Sequence, residues 1–301
     1  MNSILFWALI FAVLSPILYA IMNIIDKYAV SHRIKKPLGF SAVAALTNTF
    51  FGIILAWFLN WQGYTLANFA IPIIVGILMG ISYLMYFLII KGEDISNFVG
   101  LQYTYPILVA ILSFIFLNEI LPWISYMGMM FVLTGAVIIS VRMNKIKIKI
   151  SLWMVFFAIV ILAVNEFLIK VYTNTMPELN GIAISTIFIG LPSLLCLLFN
   201  KKIRISFASE LKNVKWALLT EFFAVLGLFA LFFAMTGLPA TVVASIATIQ
   251  PLFVIWFEKI GQKLFGKMTR DNLIKPKLIG IILIVIGIIL LYVPEIMKLI
   301  K

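Results

Sequence analysis

Long apolar runs separated by short polar connections dominate the chain, and they predict a bundle of membrane-spanning helices. Each run is long enough, or nearly so, to cross about 30 Å of hydrocarbon as a helix that rises about 1.5 Å per residue. Hydrophobic residues are continuous within the runs rather than alternating with period two, which favours helices over the strands of a membrane barrel. The predicted helices span 4–26, 38–60, 68–91, 97–117, 122–141, 151–172, 181–199, 214–235, 240–257 and 277–293.

The stretch from Gly80 to Gly135 recurs in the second half of the chain, which indicates an internal repeat. The equivalent positions are Lys91-Gly92 and Thr236-Gly237, Ser96 and Thr241, Gly100 and Ser245, Pro106 and Pro251, Gly128 and Gly280, and Gly135 and Gly287. We predict one five-helix repeat in residues 1–142, a basic linker at 143–150 and a second five-helix repeat in 151–301. Because five is odd, the second repeat enters the membrane from the opposite side, as in the inverted repeats of secondary transporters.

The composition excludes a water-soluble domain. The 301 residues are 64% hydrophobic and 11% charged, and the mean hydropathy is +1.16, well outside the range of soluble proteins. The single cysteine, Cys196, cannot form an internal disulfide. The solvent of this chain is therefore expected to be lipid, and the predicted class is an all-α polytopic membrane protein with ten transmembrane helices.

The basic residues lie almost entirely on one side of the predicted bundle. The odd-numbered connections hold 20 of the 23 Lys and Arg residues, whereas the even-numbered connections and both termini hold only Lys170, Lys298 and Lys301. Cytoplasmic loops carry such an excess of positive residues. We therefore predict a multi-pass plasma (inner) membrane protein with odd-numbered loops in the cytoplasm and both termini outside. The basic loops would contact anionic lipids rather than nucleic acid.

Two five-helix halves, each with a proline in its fourth helix and two glycines seven apart in its fifth, resemble the EamA-type carriers of the drug/metabolite transporter superfamily. The first half is also similar to that family in the run from Pro106 to the Leu117-Asn118-Glu119 turn. The resemblance covers nearly the whole chain and implies a ten-helix carrier that moves small metabolites by alternating access. Its motifs are mostly small residues and prolines, so it implies the fold more specifically than the substrate.

Two features depart from the family's pattern. Glu119 has no counterpart in the second half, where Leu264 stands at the equivalent position, and the connection around Gly266–Asp271 is longer than the family's tight turn. Many family members keep both termini in the cytoplasm, whereas the distribution of charge in this chain predicts the reverse.

Two carboxyls interrupt otherwise apolar helices and are the sharpest candidates for chemistry. Glu166 lies inside the sixth predicted helix beside Asn165, and Glu221 lies inside the eighth. A charge at the centre of a spanning helix costs about 2.5–3.5 kcal/mol or more, so each carboxyl is expected to face the bundle interior or water. We predict that both bind substrate or a proton. The alternative is a structural pairing, such as Glu166 with Lys170 one turn further along the helix.

Tyrosine, glutamine and proline residues supply the remaining candidates. Aromatic rings with a polar end suit an amine or an aromatic metabolite, through cation–π contacts and hydrogen bonds, although ordinary helix packing uses the same residues. The candidates for the substrate site are Tyr83, Tyr86, Gln102, Tyr103 and Gln250. Pro106 and Pro251 are candidate hinges, because each removes a backbone hydrogen bond within a helix; a static kink is the alternative.

Several other residues are expected to have structural roles. Gly76 and Gly80, like the glycine pairs of the fifth and tenth helices, form small faces for close helix packing or for a homodimer. Asp26 lies at the predicted end of the first helix, where water would solvate it. His32 is the only histidine, and alone it can form neither a metal site nor a nucleophilic triad. We therefore expect no metal and no cofactor.

Three functions are compatible with this pattern. The first is a secondary transporter of a small organic metabolite or amine; no phosphate-binding G-x-x-x-x-G-K-[ST] loop occurs, so a proton gradient or a counter-substrate would drive it. The second is a membrane-embedded enzyme acting on lipid or isoprenoid, which would need carboxylate, histidine or basic residues clustered at one interface. The third is a lipid-carrier flippase on the same fold. Because the acidic residues are scattered, we predict a transporter and not an enzyme.

Overall fold

A computed structural model of the protein describes residues 2–90, 104–140, 152–173, 175–250, 252–254, 256–257 and 274–300. Regular structure within these ranges is entirely helical, which confirms the predicted all-α class. The helices are α1 (Asn2–His32), α2 (Pro37–Trp57), α3 (Leu66–Ile90), α4 (Tyr105–Leu117), α5 (Trp123–Ser140), α6 (Leu152–Thr173), α7 (Glu178–Phe199), α8 (Lys201–Glu210), α9 (Val214–Gly237), α10 (Ala240–Ala247) and α11 (Ile274–Ile300).

Six helical stretches, those of α1, α2, α3, α6, α7 and α9, are long and apolar enough to cross a membrane by length and composition. Shorter apolar segments occur at α4, α5, α11 and the segment that starts with α10. Large hydrophobic side chains are exposed on the outer faces: Phe50 is 53% exposed, Phe114 54% and Trp153 70%. A soluble protein rarely exposes so many apolar side chains together, so these faces fit a lipid surround.

The helix bounds predicted from the apolar runs are close to the observed ones at most ends, and the larger differences lie in the first, fourth, ninth and tenth predicted helices. The tenth continues as α11 to Ile300, beyond its predicted end at residue 293. α1 continues to His32, beyond the predicted end at residue 26, and this extension encloses Asp26 within a helix. α4 begins at Tyr105, after Thr104 in a turn. The first part of the predicted fourth helix, 97–103, lies outside the described residues.

The ninth predicted helix is interrupted after α10. The helix ends at Ala247, and Thr248 and Ile249 form a turn in which each backbone N–H bonds to the carbonyl three residues earlier, at 3.3 and 3.0 Å. A proline stands at position 251 in the sequence and has no N–H to offer to the carbonyl of Ala247. The chain therefore tightens here into bonds of the 3-10 type, which are common at the ends of helices.

Most extensive helix contacts join the first half of the chain to the second. α1 packs along α9, α5 packs along α11, and α7 contacts both α2 and α3. α6 contacts α3 and α4, and α10 lies against α4. The largest buried cluster accordingly draws residues from both halves, including Val132, Tyr172 and Phe232.

α5 and α11 cross at glycines. A Cβ on Gly128 would lie 2.8 Å from the carbonyl oxygen of Gly287, and a Cβ on Gly287 would lie 2.6 Å from that of Gly128. Gly135 meets Gly280 in the same way, at 2.5 Å. Such distances leave room for a hydrogen atom but not for a side chain, so the helix backbones touch. Since the earlier glycine of each helix meets the later glycine of the other, the two helices run antiparallel.

The glycines of α3 pack inside the chain. A Cβ on Gly76 would collide with the carbonyl oxygen of Ser185, and one on Gly80 would collide with that of Ile189, both on α7. This confirms the packing role predicted for the two glycines. α7 covers this face, so the face is not available for a homodimer.

The basic connection at 200–213, predicted to lie on the surface, contains the short helix α8. Asn200 caps it by accepting two backbone N–H bonds from its first turn. At its other end Glu210 is buried, and its Oε1 accepts hydrogen bonds from the backbone N–H groups of Lys35 and Lys36, at 3.2 and 2.9 Å. This carboxylate therefore fixes α8 to the start of α2.

Candidate functional site

Glu221 lies in a buried, hydrogen-bonded cluster formed by α2, α3 and α9. Its Oε2 accepts a hydrogen bond of 2.7 Å from the Tyr83 hydroxyl and a second one from the side-chain amide of Asn48. The amide of Asn48 also donates to the Tyr83 oxygen over 3.2 Å. Glu221 and Asn48 are each 2% exposed. Glu221 therefore faces the interior of the bundle, and one of its oxygens is held from two other helices.

A second carboxyl, that of Asp26, lies close to this cluster. Its side chain is 6% exposed within α1 and is in electrostatic range of both Glu221 and Tyr83. The expectation that water solvates Asp26 at a helix end is therefore wrong, because α1 continues to His32 and places this position inside the bundle.

Glu166 forms a separate site where α4, α6 and α10 meet. The Tyr105 hydroxyl donates to Glu166 Oε1 at 2.8 Å, and the same hydroxyl lies 3.3 Å from the carbonyl oxygen of Ala244. The other oxygen, Oε2, is buried and has no hydrogen-bond partner within the described residues, and neither has the buried side-chain oxygen of Asn165. A buried polar atom without a partner costs about 1–3 kcal/mol. These two oxygens therefore offer acceptors to a ligand.

Lys170 is directed away from Glu166. Its ammonium donates to the carbonyl oxygens of Met235 and Leu238, at 2.6 and 2.8 Å, where α9 ends. A cation at the C-terminus of a helix complements the helix dipole. The structural alternative considered from the sequence, an ion pair between Glu166 and Lys170, is therefore not formed.

Tyr19 on α1 lies in electrostatic range of both glutamates, Glu166 and Glu221. Its half-buried ring packs against α9 at Gly227, where a Cβ would lie 3.1 Å from a ring carbon. One turn earlier, the Ser15 hydroxyl donates to the carbonyl oxygen of Gly227 over 2.9 Å. The absence of a side chain at Gly227 thus lets the Tyr19 ring pack directly against α9, the helix that carries Glu221.

The remaining predicted site residues have different environments. Tyr86 is half-buried and packs against the apolar cluster around Phe40. Gln250 is half-buried and follows the turn after α10. Pro106 lies in the first turn of α4, where a missing N–H costs the helix nothing, and its role as a hinge stays a prediction. Three predicted positions, Gln102, Tyr103 and Pro251, lie outside the described residues.

Three residues near the carboxyls, Asn48, Tyr105 and Tyr19, are not among those that the sequence predicts. Asn48 carries a recognisable signal, since it stands in the polar run 47–49 inside an apolar helix, and a buried amide requires a partner. The tyrosines carry no such signal, because helix rotation decides which ring reaches a carboxyl. Across the described part of the chain, no group of three or more His, Cys, Asp or Glu side chains could hold a metal ion.

Several apolar helices of spanning length, folded around buried carboxyls, define a multi-pass helical membrane protein. The sequence model of the EamA-like transporter family matches residues 6–141, which extend from α1 to the end of α5. This match confirms the predicted resemblance to EamA-type carriers. Over these residues the chain is similar to a family of membrane transporters.

A solved crystal structure of another protein has a similar fold over almost the whole chain. The two superpose with a TM-score of 0.71, covering 97% of this chain and 98% of the other, at 14% sequence identity. At this identity the likeness shows a shared fold and nothing about substrate. No curated protein matches the chain.

Proposed function

We propose that the protein is a secondary transporter that carries a small organic metabolite, with amines as the favoured class, across the plasma membrane by alternating access. The observation that carries this proposal is the Oε2 of Glu166 inside the bundle, which has no hydrogen-bond partner among the described residues. An ammonium group would donate to this oxygen, and the carboxylate would neutralise its charge in a charge-assisted hydrogen bond.

The carboxyl sites also fit the position expected for a transported solute. Glu221 is bonded by Asn48 and Tyr83 of the first half, and Glu166 is bonded by Tyr105 of the first half. Both sites thus lie between the halves, where secondary transporters built from inverted repeats place their substrates. Ionisable residues inside membrane segments mark solute and proton paths in general.

The helix contacts support two inverted repeats, residues 1–142 and 151–301. In a two-fold arrangement, a contact between element i of one half and element j of the other is repeated with the halves exchanged. α1 contacts α9, so the first spanning helix of the first half meets the third of the second half. α3 contacts α6, which is the same contact with the halves exchanged. α2 contacts α7, which are the second spanning helices of the two halves, and α5 contacts α11, which are the fifth. The antiparallel glycine crossing of α5 and α11 is what an inverted repeat requires.

A proton gradient or exchange against a counter-substrate would drive transport. A carboxyl that binds a proton or an ammonium on one side of the membrane and releases it on the other couples the movement of the solute to that of the proton or counter-substrate. Glu166 suits this task because one of its oxygens is free of protein partners in the described residues.

Exposed basic residues support an inner-membrane orientation with anionic lipid at the odd-numbered loops. Lipid headgroups of the cytoplasmic leaflet attract such clusters. The exposed basic side chains of the first and seventh loops are Arg33, Lys35, Lys36, Lys201, Lys202, Arg204, Lys212 and Lys215.

Proteoliposomes that contain the purified protein test the proposed function. We expect at least one member of a panel of radiolabelled amines to accumulate above protein-free vesicles, either when a pH gradient is imposed or when the vesicles are preloaded with unlabelled solute. Amino acids and nucleobases form the comparison sets. Uptake confined to nucleobases would contradict the amine class, and uptake of none of the solutes would contradict the transporter.

A further inference from the structure

Charged side chains from two other segments hold the junction between α9 and α10. α9 ends at Gly237 and α10 begins at Ala240, with only Leu238 and Pro239 between them. On one side of the junction, the Lys170 ammonium binds carbonyl oxygens at the end of α9, at 2.6 and 2.8 Å. On the other side, the Glu119 carboxylate accepts from the backbone N–H of Ala240, at 3.0 and 3.3 Å. Each charge has the sign that the adjacent helix end attracts.

The turn after α4 directs Glu119 towards α10. Asn118 has a positive φ of 51° and ends α4, and the backbone N–H of Glu119 bonds to the carbonyl oxygen of Ser113 over 3.2 Å. Left-handed residues of this kind commonly end helices. Glu119 and Lys170 are also in electrostatic range of each other. A carboxylate of the first half and a lysine of α6 therefore act together on one junction.

α10 has the form of a separate, short segment. A proline-containing junction precedes it, and the turn at Thr248 and Ile249 follows it. Tyr105, the residue that bonds Glu166, has its hydroxyl 3.3 Å from the carbonyl oxygen of Ala244, within α10. Breaks at both ends are typical of segments that move as units, because a few residues at each break absorb the change of dihedral angles. The Glu166 site and the charged junction thus act on the same segment.

We propose that α10 moves as a unit during transport and that Glu119 and Lys170 form the latch that holds it in the state observed. Both are positioning residues: they hold the ends of helices and do not contact the solute. The inference rests on the proposed transport function, since a releasable latch has a role only in a protein that alternates between states.

The reactivity of a thiol placed on α10 tests the latch without any solute. Ser245 lies on α10 and is 0% exposed, so in the Cys196→Ala background a Ser245→Cys thiol reacts with a water-soluble maleimide only when α10 moves. In nanodiscs, where both faces meet water, Glu119→Ala and Lys170→Met should each raise the reaction rate about tenfold, the effect of losing one charge-assisted hydrogen bond. Glu178→Ala is the matched control, because it removes a carboxylate from the first turn of α7 and not from the junction between α9 and α10.

A second reporter separates release of α10 from general loosening. Ser185 on α7 is also 0% exposed, and the rate of a Ser185→Cys thiol should stay unchanged in both latch variants. Unchanged rates at position 245 would overturn the latch, and so would equal increases at both reporters. Because these rates need no solute, they are independent of whether the amine proposal succeeds or fails in proteoliposomes.

Discussion

Glu166 and Glu221 differ in the number of hydrogen bonds that their carboxyls accept from side chains of other helices. Oε2 of Glu221 is held by Asn48 and Tyr83 on two other helices, whereas Glu166 has one bonded oxygen, to Tyr105, and one buried oxygen without a partner among the described residues. A carboxylate held by two side chains is costlier to move than one held by a single side chain, because each lost bond leaves a buried polar atom without a partner. We therefore propose that Glu221 holds α2, α3 and α9 together, and that Glu166 binds and releases the solute or a proton.

The assignment for Glu221 predicts that Tyr83→Phe destabilises the protein. The change removes the hydroxyl that donates to Glu221 and should cost about 1–3 kcal/mol, so the midpoint of thermal unfolding in detergent should fall. Tyr64→Phe is the control, since the Tyr64 hydroxyl makes no hydrogen bond within the described ranges while its ring packs against Phe69. Equal midpoints for the two variants would show that the bond to Glu221 contributes nothing to stability.

Among the contacts between helices, that of α5 with α11 depends on glycines, whose side chain is a single hydrogen atom. Gly128→Ala should separate the helices, because the added Cβ would lie 2.8 Å from the carbonyl oxygen of Gly287. Overpacking of this kind costs about 1–3 kcal/mol, so the midpoint of thermal unfolding should fall. Thr134→Ala on the same helix is the control, since that exposed hydroxyl bonds, among the described residues, only to the carbonyl of Met130 in its own helix. An unchanged midpoint for Gly128→Ala would mean that the helices have room to separate at no cost.

The existence and order of the helices could be predicted because continuous apolar runs have few other interpretations in lipid. Their interruptions are harder to place. Hydropathy does not change at the turn formed by Thr248 and Ile249, and Pro251 predicts a hinge or a kink without showing that the helix already ends at Ala247. The predicted end of α1 at residue 26 is too early for a related reason: a carboxyl such as Asp26 is typical of a helix end in water, but the bundle encloses it.

The candidate site, too, has residues that the sequence predicts and residues that it does not. Glu166 and Glu221 are visible in the sequence because a carboxylate inside an apolar helix must find a partner or water. Their partners are less visible, since Tyr105 and Asn48 reach them across helix interfaces whose rotation depends on side-chain packing. Lys170 shows the limit most clearly. Its spacing of one turn from Glu166 suggested an ion pair, yet its ammonium binds the end of α9 instead.

At the scale of the whole molecule, the distribution of charge predicts a definite sidedness. Single cysteines at Gln62 and Ala208, both exposed positions, can be introduced into the Cys196→Ala background. An impermeant thiol reagent applied to intact cells should label position 62 and not position 208, because the basic seventh loop is expected in the cytoplasm. Permeabilised cells, in which both positions should react, are the control. The reverse pattern in intact cells would show that the termini lie in the cytoplasm.

The halves of the molecule meet at the two carboxyl sites, so the state of Glu166 should control movement of the whole protein. Glu166→Gln keeps the shape of the side chain and its ability to bond Tyr105, while it removes the negative charge and the ability to bind and release a proton. Glu178→Gln, in the first turn of α7, is a matched change outside both sites.

The most direct test of proton coupling through Glu166 measures proton movement in proteoliposomes. The vesicles contain a pH-sensitive dye and receive a gradient of the solute that the uptake experiment identifies. The parent protein and Glu178→Gln should move protons when solute is added, and Glu166→Gln should not, although exchange of solute for solute can survive in that variant. Proton-driven transport at the parent rate and with the parent pH dependence in Glu166→Gln would contradict the account and leave Glu166 as a structural partner of Tyr105.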